Sequence, residues 1–155
     1  MSGQNLHKGK AMHNDDIARR CAANMFASDS ASQDLGISVE VSRAGQAEAS
    51  MEIRANMLNG HQVCHGGFIF ALADTAFAFA CNTYDQVTLA AAASIEFLRP
   101  ARAGERLTAS ASERYRGARS GVYDVVVCNQ DEQIIAIFRG RSHTTSQFIL
   151  PRSDT

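Results

Sequence analysis

The chain has 155 residues, 45% hydrophobic and 20% charged, which fits one globular domain with a substantial core and leaves no room for two ordinary ones. A formal net charge of −1 and a pI near 6.5 argue against a dedicated nucleic-acid binder. The four cysteines, Cys21, Cys64, Cys81 and Cys128, form no paired-ligand or disulfide pattern and the opening MSGQNLHKGK lacks the apolar core of a signal peptide, so a cytoplasmic protein with reduced thiols is expected.

Residues 1–13 are polar and read as a loose tail. Asn14 and Asp15 are good N-caps, and DDIARRCAANMFA sets Ile17, Cys21 and Met25 on one stripe of an amphipathic surface helix. After Gly36 the period becomes two: Ile37, Val39 and Val41 alternate with Ser38, Glu40 and Ser42, the mark of a half-buried strand. Ala44 and Gly45 make a turn, and Ala47, Ala49, Met51 and Ile53 alternate with polar residues to complete a hairpin. A loop carrying Asn56, Asn59 and Gly60 leads to Gly66 and Gly67, which open a helix ending near Asn82. Residues 87–98 read as a longer strand with Val87, Leu89, Ala91, Ala93, Ile95 and Phe97 on one face, closed by Arg99-Pro100 because proline cannot continue a ladder. Residues 105–116 place Leu107, Ala109 and Ala111 inward and Arg106, Ser112, Arg114 and Arg116 outward. Ser120-Gly121 is expected to turn, and the strands VYDVVVC and IIAIFRGRSH flank a polar turn from Asn129 to Gln133. The domain therefore spans 14–146, with 1–13 and 147–155 as flexible tails. Antiparallel strands with one wet face can wrap the central helix, giving an α+β domain in which a curled sheet surrounds one long helix.

That helix is apolar nearly all the way round, through Phe68, Ile69, Phe70, Leu72, Phe77 and Phe79, and so belongs in a core. It needs more cover than one sheet face gives, from a strongly curled sheet, a partner subunit, or both. Histidines aside, the one formal charge between Arg54 and Asp85 is Asp74, and its helical neighbours Phe70, Ala71, Phe77 and Ala78 include no cation. An unpaired buried carboxylate is costly and aspartate is a poor helix former, so chemistry is the leading explanation, with a distant partner or a wet groove as the alternative. The same charge, with the short length of the run, rejects a membrane span.

Unpaired N–H groups at a helix N-terminus lie at the positive end of its dipole, so Gly66 and Gly67 either form an oxyanion hole or merely allow a tight turn. His61, Cys64 and His65 invite a metal or a cysteine-nucleophile reading, but no second ligand cluster completes a tetrahedral site and adjacent Cys64 and His65 cannot easily serve one centre, so neither is expected and His65 is read as fixing the loop. Six arginines from Arg99 to Arg119, against Glu105 and Glu113 alone, make a basic strip. It is either a solvated sheet face or a docking surface for a phosphorylated ligand.

The stretches NMLNGHQVCHGG, LADTAFAFACN, EFLRPA, SGVYDVVV and FRGRSH resemble the hotdog-fold acyl-CoA thioesterases, and among them the phenylacetate-degradation (PaaI-type) group. The resemblance implies hydrolysis of an aryl- or arylacetyl-CoA thioester, of phenylacetyl-CoA or hydroxyphenylacetyl-CoA type, to the free acid and CoA, without metal or cofactor. It assigns the catalytic carboxylate to Asp74, as nucleophile or general base, the oxyanion N–H to Gly66, and the holding of water or thioester to Asn59 and His65. Gly67, Thr75, Phe97, Arg99 and Arg116 are the expected substrate-binding positions, the two arginines at the CoA phosphates. Homo-oligomers are implied, commonly tetramers built as dimers of dimers. Helix geometry adds that the sites are shared between subunits: Gly67 and Asp74 lie seven residues, about 10 Å, apart along the axis, too far for one short side chain to reach a carbonyl held at its own helix N-terminus. A non-catalytic acyl-CoA sensor or carrier is the alternative, and a hydratase on the same fold ranks last.

Overall fold

The computed structural model describes residues 3–152. In chain order it contains α1 (Gly3–Ser28), α2 (Ser30–Asp34), β1 (Ser38–Glu40), β2 (Gln46–Glu52), α3 (Gly66–Cys81), β3 (Thr88–Phe97), β4 (Arg106–Arg116), β5 (Ser120–Cys128) and β6 (Ile134–Thr144), with a single 3₁₀ turn at Ala55–Met57. The strands form one antiparallel sheet in the order β1-β2-β4-β5-β6-β3. It curls around α3, as the resemblance predicts.

The alternation read on β2 and β4 becomes the helix-facing surface. Ala47, Ala49 and Met51, paired with Ala111, Ala109 and Leu107, are all buried. Their small side chains let α3 come close, and the larger residues on β5 and β6 fill the space beside it. Phe77 of α3 packs on Tyr123 and Phe138, with ring centroids 5.6 and 5.9 Å away. Gly140 of β6 lies directly against that ring, where a Cβ would come within 2.8 Å of three ring atoms. Asn82 closes α3: its amide donates to Ala78 O and Thr88 O, both at 2.8 Å, and its Oδ1 accepts the Thr88 N–H at 2.8 Å, tying the helix end to the start of β3. The far side of α3 is covered by α1, through Phe26 against Phe79 at 6.4 Å, and by α2.

Four features depart from the sequence reading. First, α1 begins at Gly3 and runs through the expected tail and caps. No proline interrupts it, and Lys8, Lys10, Ala11 and Met12 are good helix formers. Asp15, now inside the helix, accepts the Ala44 N–H at 3.1 Å and pins α1 to the β1–β2 turn. Second, β3 does not bury one face. It is the outer strand beyond β6, Leu89 is 56% and Phe97 51% exposed, and an irregularity between Ala90 and Ala92 breaks its period. Third, Ser120 and Gly121 already belong to β5, and the chain reverses at Gly117–Arg119. Fourth, the chain beyond 146 folds back on the α3–β3 turn. Gln147 O accepts from Val87 N at 2.9 Å, and the Asp85 carboxylate takes the Leu150 N–H at 2.8 Å and the Arg152 guanidinium at 3.1 Å. Among the described residues no helix is long and apolar enough to cross a membrane.

Candidate active site

The loop before α3 is built to present the helix N-terminus. Leu58 and Cys64 form an isolated antiparallel bridge. Cys64 N donates to Ala101 O at 2.7 Å and His65 N to Met57 O at 2.8 Å. Within this hairpin the Asn59 Oδ1 accepts from His61 N at 2.9 Å and Val63 N at 3.4 Å, so Asn59 organises the loop through its carbonyl oxygen, and among the described residues its amide N–H groups have no acceptor. His65 is the N-cap of α3, and its Nδ1 accepts the Gly67 N–H at 2.9 Å. That bond requires an unprotonated Nδ1 and leaves Nε2 as the donor. Gly67 is thereby engaged. The Gly66 N–H has no acceptor among the described residues, so it is the free donor at the positive end of the helix.

A groove of about 340 Å³ opens beside that donor, lined by Val63, Cys64, Ile69, Phe97, Leu98 and Arg99 with Gly66 and Pro100. The Phe97 ring lies flush on Gly66: a Cβ there would meet its Cζ at 3.0 Å. Phe97 is thus a wall of the groove and the reason position 66 holds no side chain. Burial pushes the Cys64 thiol up to about 11, so it remains an inert lining group near neutral pH.

Asp74 sits two turns further along α3. It is half-buried rather than enclosed, and none of the ion pairs or side-chain hydrogen bonds among the described residues reaches it. Removal from water holds its carboxyl above the ordinary 3.8 of an aspartate. The next residue, Thr75, faces the other way: its hydroxyl donates to Ala71 O at 2.7 Å and lies 3.5 Å from Ser32 Oγ of α2. Ser32 in turn donates to Asp29, the N-cap of α2, at 2.6 Å. With both hydroxyl protons donated elsewhere, the Ser32–Thr75 approach is a packing contact that sets α2 beside the Asp74 turn.

One chain separates the expected substrate arginines. Arg99 borders the groove, its N–H donating to Ile135 O at 3.2 Å at the start of β6. Arg116 lies at the opposite end, its guanidinium 3.7 Å above the Tyr84 ring centroid. The sequence reading placed Arg116 on the outward face. A bulge between Glu113 and Tyr115 inserts one residue, so Arg116, though exposed at the strand end, pairs with buried Gly121 on the ladder side of Tyr123. Of the remaining strip, Arg114 pairs with Asp124 at 2.9 Å and Arg106 donates to Ser38 Oγ at 3.5 Å.

The sequence profile of the thioesterase superfamily matches residues 61–136, the stretch from the glycine loop to β6. The acyl-coenzyme A thioesterase PaaI of Escherichia coli is 48% identical over 119 residues, 77% of this chain and 85% of that protein. The chain belongs to the PaaI-type group of the thioesterase superfamily. The solved E. coli PaaI structure superposes on this thioesterase with a TM-score of 0.85 and 44% identity, covering 86% of this chain and 97% of that one. A putative esterase of Archaeoglobus fulgidus is 33% identical across 88% of this chain and 89% of its own length. Thioester hydrolysis is the chemistry of the family. Two features of the thioesterase went unread in its sequence. Ser32 gave no periodic signal, because its helix is a single turn. Glu113 did give one, as an acidic residue continuing the inward alternation of Leu107, Ala109 and Ala111.

Proposed function

We propose that this thioesterase hydrolyses aryl- or arylacetyl-CoA thioesters of the phenylacetyl-CoA type at a site assembled from two subunits. The observation that carries the reading is the free Gly66 N–H beside an apolar groove, on the same helix as a carboxylate that no cation neutralises. In the base form of the reaction Asp74 takes a proton from water, the resulting hydroxide adds to the thioester carbonyl, and the Gly66 N–H stabilises the oxyanion. Collapse expels the CoA thiolate, which leaves readily because its conjugate thiol has a pKa of about 8.5. In the nucleophile form Asp74 attacks the carbonyl itself and water then opens the anhydride. No metal or cofactor takes part in either form.

Gly66 and Asp74 are eight residues apart, about 12 Å along the axis at 1.5 Å per residue. Two α3 helices packed antiparallel about a two-fold axis bring Asp74 of one subunit beside Gly66 of the other. The long outer strand β3, with exposed Leu89 and Phe97 and with exposed Leu98 just past its end, supports pairing with a second copy, since such an edge is a template for further strands. Two such dimers make the tetramer. A thiol-release assay with a panel of acyl-CoAs tests the reading: arylacetyl-CoA should be turned over faster than short aliphatic thioesters. Tight binding of acyl-CoA without thiol release would make the chain a sensor or carrier instead.

A further inference from the structure

Helix α3 is left uncovered along one side. Gly67, Ala71, Asp74 and Ala78 fall within about 60° of one another round the helix, and all four keep contact with solvent. The sides next to them are taken. Phe70 and Phe77 point toward β6, where both rings meet Phe138 at centroid distances of 5.4 and 5.9 Å. Thr75 points toward α2, its hydroxyl 3.5 Å from Ser32 Oγ. Asp74 lies between, about 40° from Phe70 and about 100° from Thr75. Ala73, Ala76 and Ala80 are fully buried, where small side chains let the helix come close to the sheet. Ala71 and Ala78, by contrast, belong neither to the buried core nor to the apolar residues packed against it. Leucine would be about as good a helix former at either position, so the fold of one chain does not demand alanine there. Their size keeps room open on both sides of the carboxylate.

Phe70 is the wall of this space on the β6 side. It is partly exposed, yet its ring is held: it stands at 67° to Phe138, which is fully buried and packs in turn on Phe77. Ile95 of β3 is the ladder partner of Phe138 and is likewise packed against the core. A fixed ring therefore stands four residues before Asp74, the spacing of neighbours on a helix surface. We propose that Phe70 is a specificity-determining residue: the aromatic part of the acyl group rests against its ring while the thioester carbonyl is at Asp74, in the room that Ala71 and Ala78 leave. The inference rests on Asp74 as the carboxylate of the reaction proposed above, and it names the residue that makes this site prefer an aryl group. The ring of an arylacetyl group is two bonds from its carbonyl carbon, within the rise of about 6 Å that separates Phe70 from Asp74. Two rings at that range can take the offset or edge-to-face arrangement that aromatic pairs favour.

The test compares phenylacetyl-CoA with hexanoyl-CoA, an aliphatic thioester of similar length, on the intact oligomer. Phe70→Leu should lower the ratio of kcat/KM for phenylacetyl-CoA to that for hexanoyl-CoA about three- to tenfold, the loss of one aromatic pair, and should change hexanoyl-CoA turnover less than about twofold. Phe70→Tyr keeps the ring and should retain the ratio. Phe70→Met, unbranched and apolar, should lose the ratio as leucine does, so the proposal stays testable if Phe70→Leu fails to fold. A ring that only packs would lower both substrates together. Such a parallel fall, an unchanged ratio, or dissociation of the oligomer by both variants on size exclusion overturns the assignment. Non-hydrolysable thioether analogues of the two substrates give the same ratio as Kd values by calorimetry, so the wall is read even in a protein that binds without turnover. A wild-type ratio at or below one sinks the aryl reading of the function, while the response to Phe70→Leu still decides the wall. A high wild-type ratio that Phe70→Leu leaves unchanged sinks the wall and spares that reading.

Discussion

Asp74 is the residue whose environment works against it. Its carboxyl is half-buried, uncompensated and held above the ordinary 3.8 by loss of solvent. The proton is bound more tightly in the folded chain than in the unfolded one. Its contribution to stability is therefore fully present below pH 3.8 and lost as pH rises through the higher folded value. Near neutral pH the charge is thus a liability that the proposed catalytic role would account for. Asp74→Asn should leave stability unchanged or raised at pH 7, by urea denaturation, while turnover falls by roughly 10² to 10⁴. Wild-type turnover should rise with pH along an acid limb centred above 3.8, because the ionised form acts, and Asp74→Asn should lack that limb. A variant that turns over normally, or that unfolds at lower urea, contradicts this account of the residue.

Helix α3 and the strands around it carry the fold, and most of that was legible. Alternation on β2 and β4 and the all-apolar run of α3 can be satisfied in one way, with the helix against the alanine faces. Illegible were features that depend on what lies beside an element. The period of β3 looked like burial but is that of an outer strand, and only its place beyond β6 shows this. The β4 bulge that sets Arg116 opposite Gly121 has no marker in composition. Nor does the single turn of α2 or the return of the C-terminal segment to Asp85, because both are held by one or two polar contacts rather than by a periodic face. The closeness of α3 to β6 also has a testable consequence. Gly140→Ala would drive a methyl group into the Phe77 ring, and overpacking of this kind costs about 1 to 3 kcal/mol. The urea midpoint should drop accordingly, and Phe77→Leu in the same chain should recover part of the loss. No drop would mean that the helix and sheet slide apart more easily than their packing indicates.

At the scale of the whole molecule, the distance along α3 matters most. The glycine pair, His65 and Asp74 were readable as a set, but in one chain Asp74 lies about 12 Å along the helix from Gly66, and of the two expected substrate arginines Arg99 alone borders the Gly66 groove. In the proposed dimer a second subunit in antiparallel register would join these groups and cover β3. Subunit mixing tests this most directly. An Asp74→Ala protein is combined with a Gly66→Val protein, whose side chain collides with the Phe97 ring at the oxyanion donor, after dissociation and reassociation. Each parent is expected to be inactive. A heterodimer should regain up to about half the activity of the native dimer, because one of its two sites takes Asp74 from one parent and Gly66 from the other. Verified heterodimers that stay inactive would contradict the shared site and place each reaction within a single chain.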